Sequence, residues 1–327
     1  MSALRLGTRK SLMAMTQSQL VADALTKLTG HAIELIGATT EGDVSQSSPS
    51  EAGGIGVFVN ELRERLLVGE VDFAVHSLKD LPTASVPGLV LAAVPARDDP
   101  RDALCGRPGN LRKLADLPDG ARVGTVSVRR MAHLRMLRPD LEVVPIRGNA
   151  DARLRKVVGG EVDAVVLAYA GLGRIGRLDC VAEIFDPAQL LPAPGQGALA
   201  LECRADRADL LGLLGAVDDR LSRAAVTAER AVLAGLDAGC SAPVGAYAAV
   251  TELAQLRLTG AAVAADGTRQ VRLSASGYPD QAEQVGRELA VRLLAQGAAR
   301  LMGSTPSTGS RRPSAHLPRR TAAVLCE

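Results

Sequence analysis

Gly69-Glu70-Val71-Asp72-Phe73-Ala74-Val75 recurs further along the chain as Gly160-Glu161-Val162-Asp163-Ala164-Val165-Val166. Arg5-Leu6-Gly7-Thr8 recurs likewise as Arg122-Val123-Gly124-Thr125, and the paired matches keep the same order. Two such matches point to two α/β domains of similar plan, with chance convergence of short strand-to-helix turns as the alternative. Around the first copies the chain alternates strand 4–7, helix 11–28, strand 32–37, a glycine-bearing loop near 38–56, helix 57–67, strand 71–75 and strand 89–94. Ser11 can cap the first helix and Gly30 can stop it. Around the second copies lie a helix at about 128–137, a strand at 141–146 and a further helix that contains Arg153. The strand-like runs are apolar without polar alternation and are separated by helices, which predicts parallel strands covered on both faces.

Two joints interrupt this pattern. Ala96-Arg97-Asp98-Asp99-Pro100-Arg101-Asp102 is charged and carries a proline, which suits a crossover or hinge. Leu191-Pro192-Ala193-Pro194-Gly195-Gln196-Gly197 precedes a strand at 198–203 that can return the chain to the first domain. From Asp218 the pattern changes to a helix at 219–235, strands at 244–250, 255–264 and 269–276, and a helix at 280–301. That order predicts a small α+β domain with an antiparallel sheet. The expected division is 1–96 with 196–215, then 97–195, then 216–302. The tail 303–327 is rich in Ser, Thr, Pro and Arg and has little to bury, so it is read as disordered.

Composition narrows the function. At 327 residues the chain can bury two or three cores. Aromatic residues make up 2% and there is no Trp, so the cores are built from Ala, Val and Leu, and nucleic-acid binding by base stacking has poor support. No stretch approaches the roughly 18 apolar residues of a membrane span, and the N-terminus enters a strand-like segment directly, so a cytoplasmic protein is expected. The five cysteines are scattered without a Cys-x-x-Cys pair, which predicts reduced thiols and no metal site. Net charge is +2, and the tail alone holds four Arg against one Glu, so any strongly positive site must come from local clustering.

Such clustering is visible where strands run into helices, the geometry that offers free N–H groups and a helix dipole to anions. Thr8-Arg9-Lys10-Ser11 opens one helix and Thr125-Val126-Ser127-Val128-Arg129-Arg130 opens another. Arg147-Gly148-Asn149 follows a strand, Arg153 lies just inside the next helix, and Arg174 follows the turn Ala170-Gly171-Leu172-Gly173. Each arginine read singly is a solvated surface charge. Their recurrence at the loop ends of strands, where open α/β sheets bind ligands, points instead to carboxylates gripped by guanidinium forks.

Asp80, in His76-Ser77-Leu78-Lys79-Asp80-Leu81-Pro82, is either a turn residue or an ionised carboxylate that stabilises a developing cation. His76 is a candidate general base without an evident nucleophile beside it. Cys240, in Ala238-Gly239-Cys240-Ser241-Ala242-Pro243-Val244-Gly245, is either a small buried side chain or a thiol presented from a loop for covalent attachment. No Gly-x-Ser-x-Gly elbow, Walker loop or His-Glu-x-x-His is present.

Taken together, the Asp80 and Cys240 segments, Asp99-Pro100-Arg101-Asp102, Val128-Arg129-Arg130, Arg147-Gly148-Asn149 and Leu191-Pro192-Ala193-Pro194-Gly195-Gln196-Gly197-Ala198 closely resemble the porphobilinogen deaminase (hydroxymethylbilane synthase) family. They occur in the family's order and cover roughly residues 3–302. The resemblance implies an α/β fold of two periplasmic-binding-protein-like domains and a small C-terminal α+β domain. It implies a monomeric transferase of tetrapyrrole and haem biosynthesis, with no nucleic-acid or membrane partner. Such an enzyme joins four porphobilinogen molecules, with loss of ammonia, onto a covalently bound dipyrromethane cofactor and releases hydroxymethylbilane. By the same resemblance Cys240 carries the cofactor through a thioether and Asp80 is the catalytic carboxylate. Lys79, Thr125, Ser127, Arg129, Arg130 and Arg153 contact the cofactor, while Arg9, Ser11, Gln17, Arg147, Asn149 and Arg174 hold substrate.

The chemistry agrees with these roles. Loss of ammonia leaves an electron-poor azafulvene, whose charge a carboxylate near the pyrrole N–H groups can stabilise. Each added ring brings two carboxylates, so a growing chain needs several arginines. The chain departs from the family pattern at Ile55, where Lys is frequent, at Glu41, where a basic residue is frequent, and at Val126, where Ser is common. A two-lobed binding protein for small carboxylates would also explain the arginines and the duplication, but gives Cys240 and a third domain no use. An effector-sensing regulator would need a basic helix-turn-helix, which the sequence lacks.

Overall fold

The computed structural model describes residues 3–38, 56–107, 109, 112–239 and 242–303. Glu41 and Ile55 in the glycine-bearing loop, Cys240 and Ser241, and the tail after Gly303 lie outside the described residues.

The chain begins with β1 (Leu4–Arg9), α1 (Leu12–Thr29), β2 (Ile33–Ala38), α2 (Gly56–Leu67), β3 (Phe73–Ser77) and β4 (Leu89–Ala93). It continues through β5 (Asp102–Cys105), β6 (Arg122–Gly124), α3 (Val128–Leu137), β7 (Glu142–Val144), α4 (Ala150–Val158), β8 (Ala164–Ala168), α5 (Tyr169–Arg174) and β9 (Val181–Ile184). Then come β10 (Leu199–Arg204), α6 (Ala208–Leu214), α7 (Arg220–Gly235), β11 (Val244–Val250), β12 (Leu256–Val263), β13 (Gln270–Gly277), α8 (Ala282–Ala295) and α9 (Ala298–Leu301). The sheets run β2-β1-β3-β10-β4, β7-β6-β8-β5-β9 and β11-β12-β13.

The repeated sequence motifs make the same local structure twice. Asp72 accepts from the Arg5 backbone N–H at 2.8 Å, and Asp163 accepts from that of Arg122 at 2.7 Å. In return the Asp72 and Asp163 N–H groups donate to the Arg5 and Arg122 carbonyls, each at 2.8 Å. Gly69 and Gly160 turn the chain into each motif with φ of 75° and 80°, a left-handed conformation that favours glycine. The Asp of each Gly-Glu-Val-Asp motif thus closes the start of the strand formed by the corresponding Arg-x-Gly-Thr motif.

The expectation of parallel strands needs correcting in one strand of each five-stranded sheet. β1 pairs in parallel with β2 and β3, and β6 with β7 and β8. β10 is antiparallel to β3 and β4, and β5 is antiparallel to β8 and β9. These two strands arrive directly from the other sheet's side of the chain, with no helix to carry them back along their own sheet, so they enter in the opposite sense. Apolar runs reported burial on both faces, not direction; β5 is buried throughout and β10 nearly so. The predicted strand 71–75 is displaced to Phe73–Ser77, and the turn after β8 is the short helix α5.

The third sheet is antiparallel as expected. α7 and α8 pack on it around an aliphatic core that includes Ala228, Val232, Leu258, Leu289 and Leu293. The predicted helix 280–301 is instead broken where Gly297 adopts φ 92° between α8 and α9. Arg272 donates to the Pro187 and Ala188 carbonyls at 2.9 and 2.7 Å, and Arg223 to the Ala92 carbonyl at 2.8 Å, so this unit is tied to both larger sheets' segments.

The contact between α7 and α8 depends on a missing side chain. A Cβ on Gly286 would lie 2.3 Å from the Ala228 carbonyl oxygen and 2.6 Å from the Ala231 Cβ. Forcing atoms into such a site costs about 1–3 kcal/mol, more than the few tenths of helix propensity that valine gains over glycine. Gly286→Val should therefore lower the urea midpoint followed by circular dichroism, and an unchanged midpoint would show that the helices separate freely.

Candidate functional site

A cleft of about 980 Å³ lies between the two five-stranded sheets. Arg9, Ser11, Gln17, Lys79 and Asp80 line it from the first, and Arg130, Arg147, Asn149, Arg153 and Arg174 from the second. Ten of the site residues read from the sequence are thereby brought together from segments far apart in the chain. Thr125, Ser127 and Arg129 are not on the cleft wall, and Cys240 lies outside the described residues.

Helix starts shape the walls. Ser11 Oγ accepts from the Ala14 N–H at 3.3 Å, Ser127 Oγ from Arg130 at 3.4 Å, and Asn149 Oδ1 from Ala152 at 2.9 Å. All three are N-caps, of α1, α3 and α4. Their oxygens serve the helices, and the positive helix ends at Ser11 and Asn149 face the cleft. Thr125 is buried behind this wall, where its Oγ1 accepts from the Ser127 N–H at 3.2 Å.

Asp80 ends a single turn of 3-10 helix, Leu78–Asp80, that directly follows β3. Of the two carboxylates on the cleft wall, Asp151 is paired with Arg177 at 2.9 Å, whereas Asp80 enters no salt bridge among the described residues. Lys79 donates to Gln196 Oε1 at 3.3 Å. Burial, together with Arg130 and Arg129 and against the pull of Asp80 and Asp102, pushes the Lys79 ammonium down to about 8. Arg153, whose Nε donates to the Gly148 carbonyl at 2.8 Å, is pushed down to about 10 by burial and by Arg130. Burial and neighbouring cations thus both disfavour these charges, and an arriving carboxylate relieves that penalty.

Behind the wall, Asp102 is fully buried and bound by both arginines of α3: Arg129 Nη1 at 2.7 Å and Arg130 Nη2 at 2.7 Å. Burial opposes its ionisation, but the two guanidiniums and Gln196 hold it well below the usual carboxylate range. Arg129 also donates to the Leu191 carbonyl at 2.6 Å, so it serves this buried junction. Arg174 reaches back to Asp98 at 2.8 Å and the Gly197 carbonyl at 2.6 Å, binding the two joints together. Gln17 Oε1 accepts from the Ser77 hydroxyl at 3.1 Å. His76 lies 3.2 Å from Glu202, which Arg63 also grips at 2.9 Å, so the candidate base is committed to a buried cluster. Burial acts to raise the Glu202 carboxyl, and His76 and Arg63 together bring it below its ordinary value.

Sequence reasoning missed Gln196. Its amide donates to Asp102 at 2.9 Å and to the Pro100 carbonyl at 2.6 Å while its oxygen receives Lys79, linking both sheets. Gly195 and Gly197 on either side adopt φ of 75° and 87°, so the Gly-Gln-Gly spelling was the available signal. The partners of Asp102 and of the buried Glu229 carried no such signal.

A family model described as porphobilinogen deaminase, dipyromethane cofactor binding domain, matches residues 4–212, and its C-terminal domain model matches 223–295. A porphobilinogen deaminase of Thermobifida fusca is 58% identical over 306 residues, covering 91% of this chain and 95% of the relative. Porphobilinogen deaminase 1 of Streptomyces coelicolor is 55% identical over 313 residues, 92% of this chain and 98% of the relative. Among solved structures, a periplasmic substrate-binding protein of an ABC transporter from Coxiella burnetii matches 65% of this chain and 91% of its own at 14% identity, with a TM-score of 0.42.

Lys79 supplies a pH test. Its folded value of about 8 lies below the ordinary 10.5, so the unfolded chain binds the proton more tightly and burial of the charged amine destabilises the fold below pH 8. That penalty fades as pH rises from 8 towards 10.5. The urea midpoint of the parent should therefore rise relative to Lys79→Met between pH 7 and pH 10; a constant difference would show an unperturbed amine.

Proposed function

The chain belongs to the porphobilinogen deaminase family, and from that premise we propose how its own residues carry the reaction. It is an enzyme of tetrapyrrole biosynthesis that joins four porphobilinogen molecules, with loss of ammonia, onto a dipyrromethane cofactor and releases hydroxymethylbilane. The observation that carries the assignment of roles is Asp80: a carboxylate on a cleft wall otherwise dominated by arginine and lysine, and itself in no salt bridge among the described residues.

The cleft fits the cofactor's chemistry. Dipyrromethane bears acetate and propionate groups on both rings, and the wall offers Arg130 and Arg153 in a region where burial, with neighbouring arginine charge, holds Arg153 and Lys79 below their ordinary values. When bound, the cofactor supplies the pyrrole carbon to which substrate units are joined. Arg130, Arg153 and Lys79 hold its carboxylates, with Thr125, Ser127 and Arg129 supporting them from behind the wall as caps and buried partners. Arg9, Ser11, Gln17, Arg147, Asn149 and Arg174 orient substrate carboxylates around the cleft. The Asp80 carboxylate stabilises the positive charge that develops at the pyrrole ring as ammonia leaves. Cys240 anchors the cofactor by a thioether, from the segment that leaves α7 and enters β11.

The domain division that supports this reading is 1–96 with 196–215, 97–195 and 216–302. No helix among the described residues is long and apolar enough to cross a membrane. We read the enzyme as a cytoplasmic monomer whose partner is its small-molecule substrate.

Intact mass tests the anchor. The purified parent should carry a two-pyrrole adduct and gain single-pyrrole steps with porphobilinogen, while Cys240→Ser should carry none; the same adduct on the variant would move the anchor elsewhere. Asp80→Asn should keep the adduct and lose about 100-fold or more in turnover, as removal of a group aimed at transition-state charge does. Near-normal turnover would remove Asp80 from the mechanism.

A further inference from the structure

The turn that presents Asp80 is held from behind by a residue of the C-terminal unit. Arg230, on α7, donates through Nη1 to the Leu81 carbonyl at 2.7 Å and to that of Leu78 at 3.5 Å, and through Nη2 to the Pro82 carbonyl at 2.8 Å. These carbonyls bracket Asp80 in sequence, and the turn's own closing bond runs from the Leu81 N–H to the Leu78 oxygen at 3.1 Å. One planar guanidinium therefore spans the exit of the turn through two nitrogens in a fixed fork, a span that the compact ammonium of a lysine lacks.

Neighbouring residues of α7 reinforce the grip. Val226, one helical turn before Arg230, is buried in a cluster with Leu78 and Leu81. Glu229 accepts from the Gly195 N–H at 2.7 Å, and Gly195 packs so closely on the turn that an added Cβ would lie 3.1 Å from Leu78 Cγ. The Asp80 turn is clasped between α7 and the second joint. α7 then ends at Gly235, shortly before the segment that carries Cys240.

We propose that Arg230 is a positioning residue for the reaction, fixing the Asp80 turn to the helix that leads into the cofactor-bearing loop. This rests on the catalytic role assigned to Asp80 above. Its consequence is that the Asp80 turn takes its position from α7 as well as from its own sheet. A displacement of about 1 Å at a reacting group can cost roughly 100-fold in rate, so loss of this clamp acts on turnover more than on binding.

The experiment is a double-mutant cycle on the cofactor-loaded enzyme, with Arg230→Met, Asp80→Asn and the pair, each checked by intact mass for the two-pyrrole adduct. Arg230→Met should keep the adduct, hold KM within about twofold of the parent and lower kcat by about 10–100-fold, with partial recovery in Arg230→Lys. In the Asp80→Asn background the same substitution should cost about twofold or less, because the group it positions is gone. Unchanged kcat in Arg230→Met, or full multiplication of the two losses in the pair, overturns the proposal. A near-normal Asp80→Asn alone would instead overturn the role of Asp80, so the two failures are told apart. Should Arg230→Met not fold, Arg230→Lys carries the cycle in its place, with a smaller expected loss and the same criterion of non-additivity.

Discussion

A carboxylate without access to water holds the three sheets to one another. Glu229 is fully buried and accepts four hydrogen bonds: from Arg97 Nη1 at 2.7 Å and Nη2 at 3.0 Å, and from the Gly195 and Ala248 N–H groups at 2.7 Å each. A buried charge left unpaired costs several kcal/mol, so every one of these donors has to be in place. They come from the first joint, the second joint and the third sheet. Satisfying one side chain therefore brings those segments to a single point. Arg97 extends the junction by donating to the Gln196 carbonyl at 2.8 Å and lying over the Tyr247 ring, 5.8 Å from its centre.

A second buried carboxylate sets up the chemistry. Asp102 balances only one of the two α3 arginines that bind it, which leaves a net positive charge just behind the cleft wall. Lys79 and Arg153 are displaced towards their neutral forms chiefly by burial, and the nearby arginines add to the displacement. A site built for its own stability would place carboxylates here. In the reading proposed above, the acetate and propionate groups of cofactor and substrate take those places, and the positive excess becomes affinity for a polyanionic chain. Asp80 is the carboxylate of that wall that enters no salt bridge among the described residues, which suits it to the role proposed above.

The duplicated plan explains why such a cleft exists. Each sheet presents helix starts at the ends of its parallel strands, and two sheets facing each other double the number of anion-binding ends. The chain passes between them at two joints that touch, with the Asp98 N–H donating to the Gly197 carbonyl at 3.3 Å. Gly197 has no room for a side chain, since a Cβ would lie 2.5 Å from the Asp98 oxygen. The antiparallel strands β5 and β10 begin just beyond these joints, so the reversal of strand direction and the position of the cleft have a common origin.

Local chemistry was legible in the sequence by itself. The echoed motifs marked the duplication because the same Asp-to-backbone closure is needed at both strand starts, and Ser11 and Gly30 marked helix ends through bonds made within a few residues. The spellings around Asp80 and Cys240 marked the family because each is a short contiguous run that is read without knowledge of the fold. Tertiary structure decided the rest. The reversal of β5 and β10, the break at Gly297 and the assignment of Arg129 to a buried junction depend on partners distant in the chain. Asp102 meets Arg129 and Arg130 from 27 and 28 residues away, and Arg97 meets Glu229 from 132 away. A charged residue in a sequence has the same spelling whether it is solvated or buried. Only the fold determines which arginines lose their water: Arg129 is withdrawn to the buried junction, while Arg130 both grips Asp102 there and lines the cleft.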